Sequence, residues 1–486
     1  MSDEYQPSVR TALRATIAFT FGIRAIGMVR GLLLARLLGP EAFGLFAGIV
    51  AFTSTIGLIA ELGLTPYVVF RGVRARDDAG AIATFSVASG LLGAGAVALL
   101  AIPIAEFYGK ADALWIALAL SSSVLITALT AAPMGVLRSE LKFADIGVAQ
   151  GLGEIAALLS ALIVAVLGGG IWALVTAFVV GQLAALAALW QRAGLGFPRL
   201  TAGWRKSART AVAYGGPVVG GALLWAIALQ GDNVVVGRIL GTTMLGLYAF
   251  AYSYGTLAGG IVGTVISPVA FPALTRMRDD LTEFYTRFAN FVRLSALIAL
   301  PAAIVGAVLA PVAIEVVLGR KWSMAVQPFQ VFLAVGALRA VFPTDQVMRA
   351  LGQTKWELIL GLVAAPATIA AAVLGSLHGS VLLVAVLVSL VAISSSVWSV
   401  AVAAGLMRVG VVQLLREPLP ACLVGLACGL AAWLTELIPI PSHLRLAAGL
   451  LAAGAVYLLI LKSGRVPGGA DLKDLARSRG LLAKPI

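Results

Sequence analysis

Residues 35–47 read ARLLGPEAFGLFA, and residues 237–249 read GRILGTTMLGLYA. The two stretches match at a constant spacing of 202 residues without a gap. The matched positions are Arg36, Leu38, Gly39, Gly44, Leu45, Phe46, Ala47 and Pro66, which reappear as Arg238, Leu240, Gly241, Gly246, Leu247, Tyr248, Ala249 and Pro268. Both copies lie in long apolar stretches, so the repetition predicts a membrane protein built from two related halves. Transporters commonly have this organisation, with a substrate path between the repeats.

The composition predicts an all-α membrane protein. Apolar residues make up 60% of the chain and charged residues only 12%. A transmembrane helix needs about 20 apolar residues, and we predict about 14 such spans. The many glycines suit close approach of helices in lipid. The predicted spans are 11–38, 43–70, 79–105, 112–136, 146–167, 170–192, 212–239, 245–270, 288–318, 325–350, 356–375, 380–404, 417–438 and 443–463.

The repeat unit contains six predicted spans, so both copies enter the membrane in the same orientation. This predicts two six-helix lobes related by a pseudo-twofold axis along the membrane normal, plus two extra C-terminal helices. The predicted segments are an N-terminal lobe (1–192), a basic cytoplasmic linker (193–211), a C-terminal lobe (212–405), two additional helices (406–463) and a basic cytoplasmic tail (464–486).

The basic residues predict how the chain is oriented. With the N-terminus inside, most of the 35 Lys and Arg fall on cytoplasmic segments, which is the positive-inside bias of membrane proteins. We therefore expect a multi-pass membrane protein with both termini in the cytoplasm. The net charge of +13 then reflects topology and membrane lipid, and we expect no nucleic-acid partner.

Arginines inside the first predicted span are candidate binding residues, because a charge within hydrocarbon is costly and usually functional. Arg24 lies too deep to reach the interface. We interpret it as a cation that faces a water-filled cavity and holds an anionic substrate; the alternative is a structural partner for a buried carboxylate. Arg30 and Arg339, the latter near the middle of the tenth span, are further candidates.

The repeat also predicts a gate pair. The position equivalent to Arg30 in the second half is Asp232, and equivalent positions of two repeats lie across the pseudo-twofold axis. Arg30 and Asp232 are therefore expected to meet in a contact that breaks when the lobes move; the alternative is that each is solvated separately at the outer rim. Asp345 and Arg349, one helical turn apart, are expected to pair with each other.

Signals for an enzyme are weak. The sequence has no Walker A loop and no HExxH motif, and its only histidines are His378 and His443. The acidic run from Asp279 to Glu283 is interpreted as a solvated helix start rather than a metal–diphosphate cluster. We expect no catalytic residues, metal or cofactor, and coupling to the membrane potential or to a proton or sodium gradient.

Two stretches resemble a known family. They are residues 35–46, quoted above, and Gly231-Asp232-Asn233-Val234-Val235-Val236-Gly237-Arg238-Ile239-Leu240-Gly241 followed by Gly246-Leu247-Tyr248. Both are similar to bacterial polysaccharide and O-antigen exporters of the Wzx type, in the multidrug/oligosaccharidyl-lipid/polysaccharide flippase superfamily. The resemblance implies two lobes forming a V around a central cavity, with alternating access. The implied cargo is an O-antigen, capsule or exopolysaccharide unit on undecaprenyl diphosphate, flipped from the cytoplasmic to the periplasmic leaflet.

The charges within the membrane agree with that cargo. A diphosphate needs cations, and guanidinium binds phosphate oxygens in pairs without losing its proton. Arg24, Arg30 and Arg339 are the expected contacts. Other possibilities remain open: a flippase of the peptidoglycan precursor, a multidrug-type cation antiporter of the same fold, and a non-transporting subunit of a glycan assembly complex. Expected partners, besides cargo and membrane lipids, are glycan polymerase and chain-length proteins.

Overall fold

The computed structural model describes residues 5–72, 75–195 and 204–463, and these residues form helices joined by short turns, with no strand among them. The helices are α1 (Tyr5–Leu38), α2 (Pro40–Glu61), α3 (Leu64–Arg71), α4 (Ala75–Tyr108), α5 (Asp112–Ser139), α6 (Phe143–Val166), α7 (Trp172–Ala193), α8 (Trp204–Ile239), α9 (Thr242–Gly255), α10 (Leu257–Thr275), α11 (Leu281–Val317), α12 (Val326–Val341), α13 (Thr344–Ala350), α14 (Lys355–Leu377), α15 (Val381–Met407), α16 (Val411–Arg416), α17 (Leu419–Glu436) and α18 (Ser442–Lys462). A short 3₁₀ helix, Arg320–Ala325, precedes α12.

The structure confirms an all-α membrane fold. Across the described ranges, 11 helical segments are long and apolar enough to cross a membrane. They correspond to all the predicted spans except the first, seventh and eighth, which fall on α1, α8 and the pair α9–α10. The count of 14 therefore stays a prediction. Large apolar side chains point outward, such as Leu99 at 82% and Val166 at 85% exposure, as lipid-facing positions require.

Several predicted spans are interrupted rather than continuous. The second span breaks at Leu62 and Gly63, both in the left-handed backbone region with φ of 54° and 65°. The tenth breaks at Phe342 and Pro343, between α12 and α13. Proline has no N–H to donate and disfavours helical geometry in the residue before it, which explains the second break.

The chain divides into two compact units, Met1–Gly246 and Leu247–Ile486. This boundary lies later than the linker predicted at 193–211, because α8 packs against α2, α3 and α4 of the first unit. The division into lobes by duplicated spans stays a prediction. The linker lies partly outside the described residues and the predicted tail, 464–486, lies wholly outside them.

The two C-terminal helices are attached to the second unit through α11. Small residues on α17 allow this contact: a Cβ added at Gly425 or Gly429 would lie 2.7 Å from side-chain carbons of Ile304 on α11. The Tyr457 hydroxyl of α18 donates a hydrogen bond of 3.0 Å to the Leu297 carbonyl. Close approach at small residues is how helices associate where lipid supplies no hydrophobic drive.

Candidate substrate-binding site

Two arginines of α1 have different surroundings. Arg24 and Arg30 lie six residues apart, which places them about 9 Å apart along the helix axis. Arg24 is exposed, whereas the Arg30 side chain is 22% exposed. Ionisable groups at membrane depth almost always face a bundle interior or a water-filled cavity. Arg24 is therefore the more available of the two cations.

Arg30 is paired with Glu154 of α6. Its Nη2 and Nε atoms donate to the same carboxylate oxygen, Oε2, at 3.1 and 3.3 Å. Gly27, about one turn earlier on α1, leaves room for the carboxylate, since a Cβ there would lie 3.3 Å from Oε2. The sequence reasoning missed Glu154. A lone acid in the middle of an apolar span was the signal that could have found it.

Asp232 of α8 is buried, at 2% exposure. Its Oδ1 accepts a hydrogen bond of 2.8 Å from the Asn233 backbone N–H, and the Asn233 Nδ2 donates to Gln230 at 3.0 Å. The predicted contact between Arg30 and Asp232 is not among the ion pairs of the described residues, in which Arg30 contacts Glu154. The gate pair stays a prediction.

The third predicted arginine lies in the second unit. Arg339 is exposed in the last turn of α12, just before the break at Phe342 and Pro343. Beyond the break, the predicted pairing of Asp345 with Arg349 is confirmed at 3.7 Å between Oδ2 and Nη1.

The two halves of the repeat meet at a contact that we call the glycine seam, formed by Gly44 of α2 and Gly246 of α9. A Cβ at Gly44 would lie 1.9 Å from the Thr242 carbonyl oxygen, and a Cβ at Gly246 would lie 1.9 Å from the Pro40 carbonyl oxygen. Gly44 is the repeat equivalent of Gly246, and Pro40 of Thr242. Each glycine therefore contacts the first residue of the helix that carries the other glycine.

A second close approach joins α2 and α8 beyond the other end of α2. A Cβ at Gly63 would lie 2.7 Å from the Gly215 Cα atom, and a Cβ at Gly215 would lie 2.0 Å from the Leu62 carbonyl oxygen. Between the two contacts, Tyr108 of α4 fills the space beside Gly48 and Gly237. Helix α2 is therefore closely packed against α9 at its start, against Tyr108 in between, and against α8 just beyond its end.

Polar contacts flank the glycine seam. The Arg238 Nη1 atom donates to the Phe107 carbonyl at 3.1 Å, and the Arg238 guanidinium lies 5.4 Å from the Phe107 ring centroid. On the turn between α4 and α5, the Lys110 ammonium donates to Glu41 at 2.6 Å. That hydrogen bond and the attraction to the Glu41 carboxylate raise the pKa of Lys110. Both side chains are well exposed, so the pair contributes little stability.

The helical arrangement is that of solved flippases and multidrug transporters. The structure of "Lipid II flippase MurJ, inward closed conformation" superposes with a TM-score of 0.73 and 13% identity, covering 91% of this chain and 97% of that one. An inward-facing multidrug resistance transporter of the MATE family, in the MOP superfamily, superposes with a TM-score of 0.58 and 16% identity, covering 81% and 96%. At these identities the likeness establishes the fold alone: the chain has the helical fold that these flippase and multidrug-transporter structures share.

The sequence places the chain more narrowly. Residues 33–327 match the family Polysacc_synt_3, described as "Polysaccharide biosynthesis protein". The match covers more than half of the chain, and the protein belongs to this family. The predicted resemblance to Wzx-type polysaccharide exporters is thereby confirmed.

Three individual relatives share between 22% and 27% sequence identity with this chain. The succinoglycan biosynthesis transport protein ExoT of Rhizobium meliloti (strain 1021) is 23% identical over 74% of this chain and 72% of its own length. The lipopolysaccharide biosynthesis protein WzxC of Escherichia coli (strain K12) is 22% identical over 66% and 65%. The teichuronic acid biosynthesis protein TuaB of Bacillus subtilis (strain 168) is 27% identical over 47% of this chain, and the match spans only about half, 49%, of its own length.

Proposed function

We propose that this protein is a flippase for oligosaccharide units carried on undecaprenyl diphosphate. It would move them from the cytoplasmic to the periplasmic leaflet of the bacterial inner membrane by alternating access. The family, the MurJ-like fold and relatives named for succinoglycan and lipopolysaccharide biosynthesis support this proposal. The observation that carries it is Arg24, an exposed guanidinium on α1 with no carboxylate partner among the described residues.

The chemistry of the cargo explains why arginines would bind it. A diphosphate brings at least two negative charges into a low-dielectric region, and each needs a cation or a wet cavity. Arg24, Arg30 and Arg339 are the proposed contacts. The polyprenyl tail stays in lipid while the diphosphate and sugars cross the protein.

Two transporter alternatives share this fold. A multidrug-type antiporter needs a buried carboxylate for its cation. Glu154, beside α1, is paired with Arg30, which leaves the buried Asp232 of α8 as the carboxylate to test for that role. A flippase of the peptidoglycan precursor would recognise the same diphosphate and differ in the sugar. A non-transporting subunit of a glycan assembly complex would flip nothing when purified.

The remaining features follow from that role. The protein would act without catalytic residues, metal or cofactor, driven by the membrane potential or by a proton or sodium gradient. Glycan polymerase and chain-length proteins would take over its product in the periplasm, while both termini stay in the cytoplasm.

The test is transport of a fluorescent undecaprenyl-diphosphate oligosaccharide in proteoliposomes, by wild type and by Arg24→Ala. We expect wild type to flip the lipid and Arg24→Ala to lose roughly 10- to 100-fold in rate, since a charge-assisted contact contributes about 1.5–3 kcal/mol. Arg320→Ala is the matched control, because that arginine is 92% exposed on the turn before α12, and its rate should equal that of wild type.

Other results would contradict the proposal. Equal rates for wild type and Arg24→Ala would make Arg24 structural. Transport of a cationic dye with no movement of the diphosphate lipid would favour the antiporter. Failure of the wild type to move either compound would favour the non-transporting subunit.

A further inference from the structure

Glu154 has no role in the proposed transport cycle, yet it is bonded to one of the proposed substrate arginines. It lies 11 residues from Phe143 and 12 from Val166, and is therefore about 17 Å from either end of α6. A carboxylate at this depth is costly unless it is paired, and so is the arginine that it meets. The presence of both Arg30 and Glu154 at this depth therefore needs a functional explanation in addition to the stability of the pair.

We propose that the Glu154 carboxylate competes with the cargo for Arg30. It pairs with Arg30 when no substrate is bound, and the cargo diphosphate displaces it. This inference rests on the proposed function. It identifies the Glu154 carboxylate as the anion that the diphosphate must displace from Arg30. The exchange keeps Arg30 neutralised at every stage, so neither the empty nor the loaded protein holds an uncompensated arginine within the bilayer.

The geometry of the pair suits a ligand that can be exchanged. Only Oε2 of Glu154 accepts from Arg30, and both contacts, at 3.1 and 3.3 Å, are longer than the 2.7–2.9 Å typical of strong charge-assisted bonds. The side chains are 22% and 27% exposed, so the pair is not sealed inside the helix bundle. A diphosphate can offer two oxygens in the forked arrangement that guanidinium prefers, which a single carboxylate oxygen does not.

Few other charges bear on Glu154 among the described residues. On α1, Arg30 contacts it, and Arg24 and Arg36 lie six residues before and after Arg30. On α7, the titratable side chain is Arg192, which pairs with Asp145 near the start of α6. On α5, Asp112 and Arg138 lie at the two ends of the helix. Arg30 therefore dominates the electrostatics of Glu154.

The experiment measures the Kd of undecaprenyl diphosphate, without sugar, for the full chain in lipid nanodiscs. We expect Glu154→Gln to bind about 5- to 10-fold more tightly than wild type and Arg30→Ala to bind at least about 10-fold more weakly, since tenfold corresponds to about 1.4 kcal/mol. Glu41→Gln, which removes an exposed carboxylate from the Lys110 pair, is the control and should match wild type.

A control lipid separates exchange of anions from a general effect on lipid binding. Undecaprenol, which carries no anion, should not distinguish wild type from Glu154→Gln.

The remaining outcomes would contradict either the exchange of anions at Arg30 or the proposed function. Weaker binding by Glu154→Gln would make Glu154 a structural brace for Arg30, and unchanged binding would mean that it does not compete. If Glu154→Gln does not fold, Glu154→Asp, with a shorter reach toward Arg30, must also bind more tightly than wild type. Wild type that does not bind the diphosphate lipid would contradict the proposed function itself, whereas binding without the Glu154→Gln effect contradicts only the exchange.

Discussion

At the scale of single residues, α1 carries two arginines that have different surroundings in the tertiary structure. Arg24 is exposed and Arg30 is engaged by Glu154. The difference is one of helix face, because a step of six residues turns the side chain by about 120° as well as moving it along the axis. Only one of the two faces meets α6. The binding role of both, and of Arg339, is a proposal that single substitutions can test.

The gate pair is tested by exchanging its charges, Arg30→Asp with Asp232→Arg. If the pair forms in another conformation, each single substitution should slow flipping in proteoliposomes and the double variant should recover part of the rate. A coupling energy of about 0.5–3 kcal/mol is typical of residues in contact. Exchanging the exposed pair, Glu315→Arg with Arg320→Glu, is the control and should change little. A double variant no faster than either single variant would rule out the pairing.

At the scale of elements, glycine sets how closely the helices approach. The glycine seam brings α2 and the start of α9 to backbone contact, and the Gly63–Gly215 approach does the same for α2 and α8. Neither contact can tolerate a side chain without movement of a helix. The Gly63–Gly215 approach helps to explain why α8 groups with the first unit, and the glycine seam why the start of α9 does so.

The Gly44→Ala substitution should destabilise the protein. Its Cβ would lie 1.9 Å from the Thr242 carbonyl oxygen and 2.5 Å from the Gly246 nitrogen, so one helix must shift. Overpacking of this kind costs about 1–3 kcal/mol, and thermal unfolding of the detergent-solubilised protein should show a lower Tm. Gly95→Ala is the matched control, because a Cβ at Gly95 meets nothing within 4 Å and alanine favours helix. A Tm unchanged in Gly44→Ala would mean that the seam is loose.

At the scale of the whole molecule, orientation in the membrane is set by where the basic residues lie. In the proposed orientation, with the N-terminus inside, Lys110 on the turn between α4 and α5 follows the third predicted span and lies outside the cytoplasm. Asp279, in the turn before α11, then lies on the cytoplasmic side. The positive-inside bias is the physical basis of this assignment.

Cysteine labelling in intact cells tests the orientation. In a background of Cys422→Ala and Cys428→Ala, Lys110→Cys should react with a membrane-impermeant maleimide added outside, and Asp279→Cys should react only after the cells are permeabilised. The side chains at both positions are exposed, at 46% and 94%, so access should depend on the side of the membrane. Both variants should label in detergent. The reverse pattern in cells would place the termini in the periplasm.

The sequence by itself determined the class of fold and its duplication. Long apolar runs specify membrane helices because a backbone in lipid must satisfy its own hydrogen bonds. The matching residues around Gly44 and Gly246 specify two related halves because a repeat leaves its spacing in the chain. The arginines of α1 could also be identified from the sequence, since a charged residue stands out in an apolar run.

Only the tertiary structure decided which surfaces meet. The spans are apolar on every side, so periodicity does not mark the face that packs against a neighbour. The pairing of Arg30 with Glu154 joins residues 124 positions apart, and the contact at the glycine seam joins residues about 200 apart. Such contacts depend on how several helices pack at once, and that packing is a property of the whole bundle rather than of any one span.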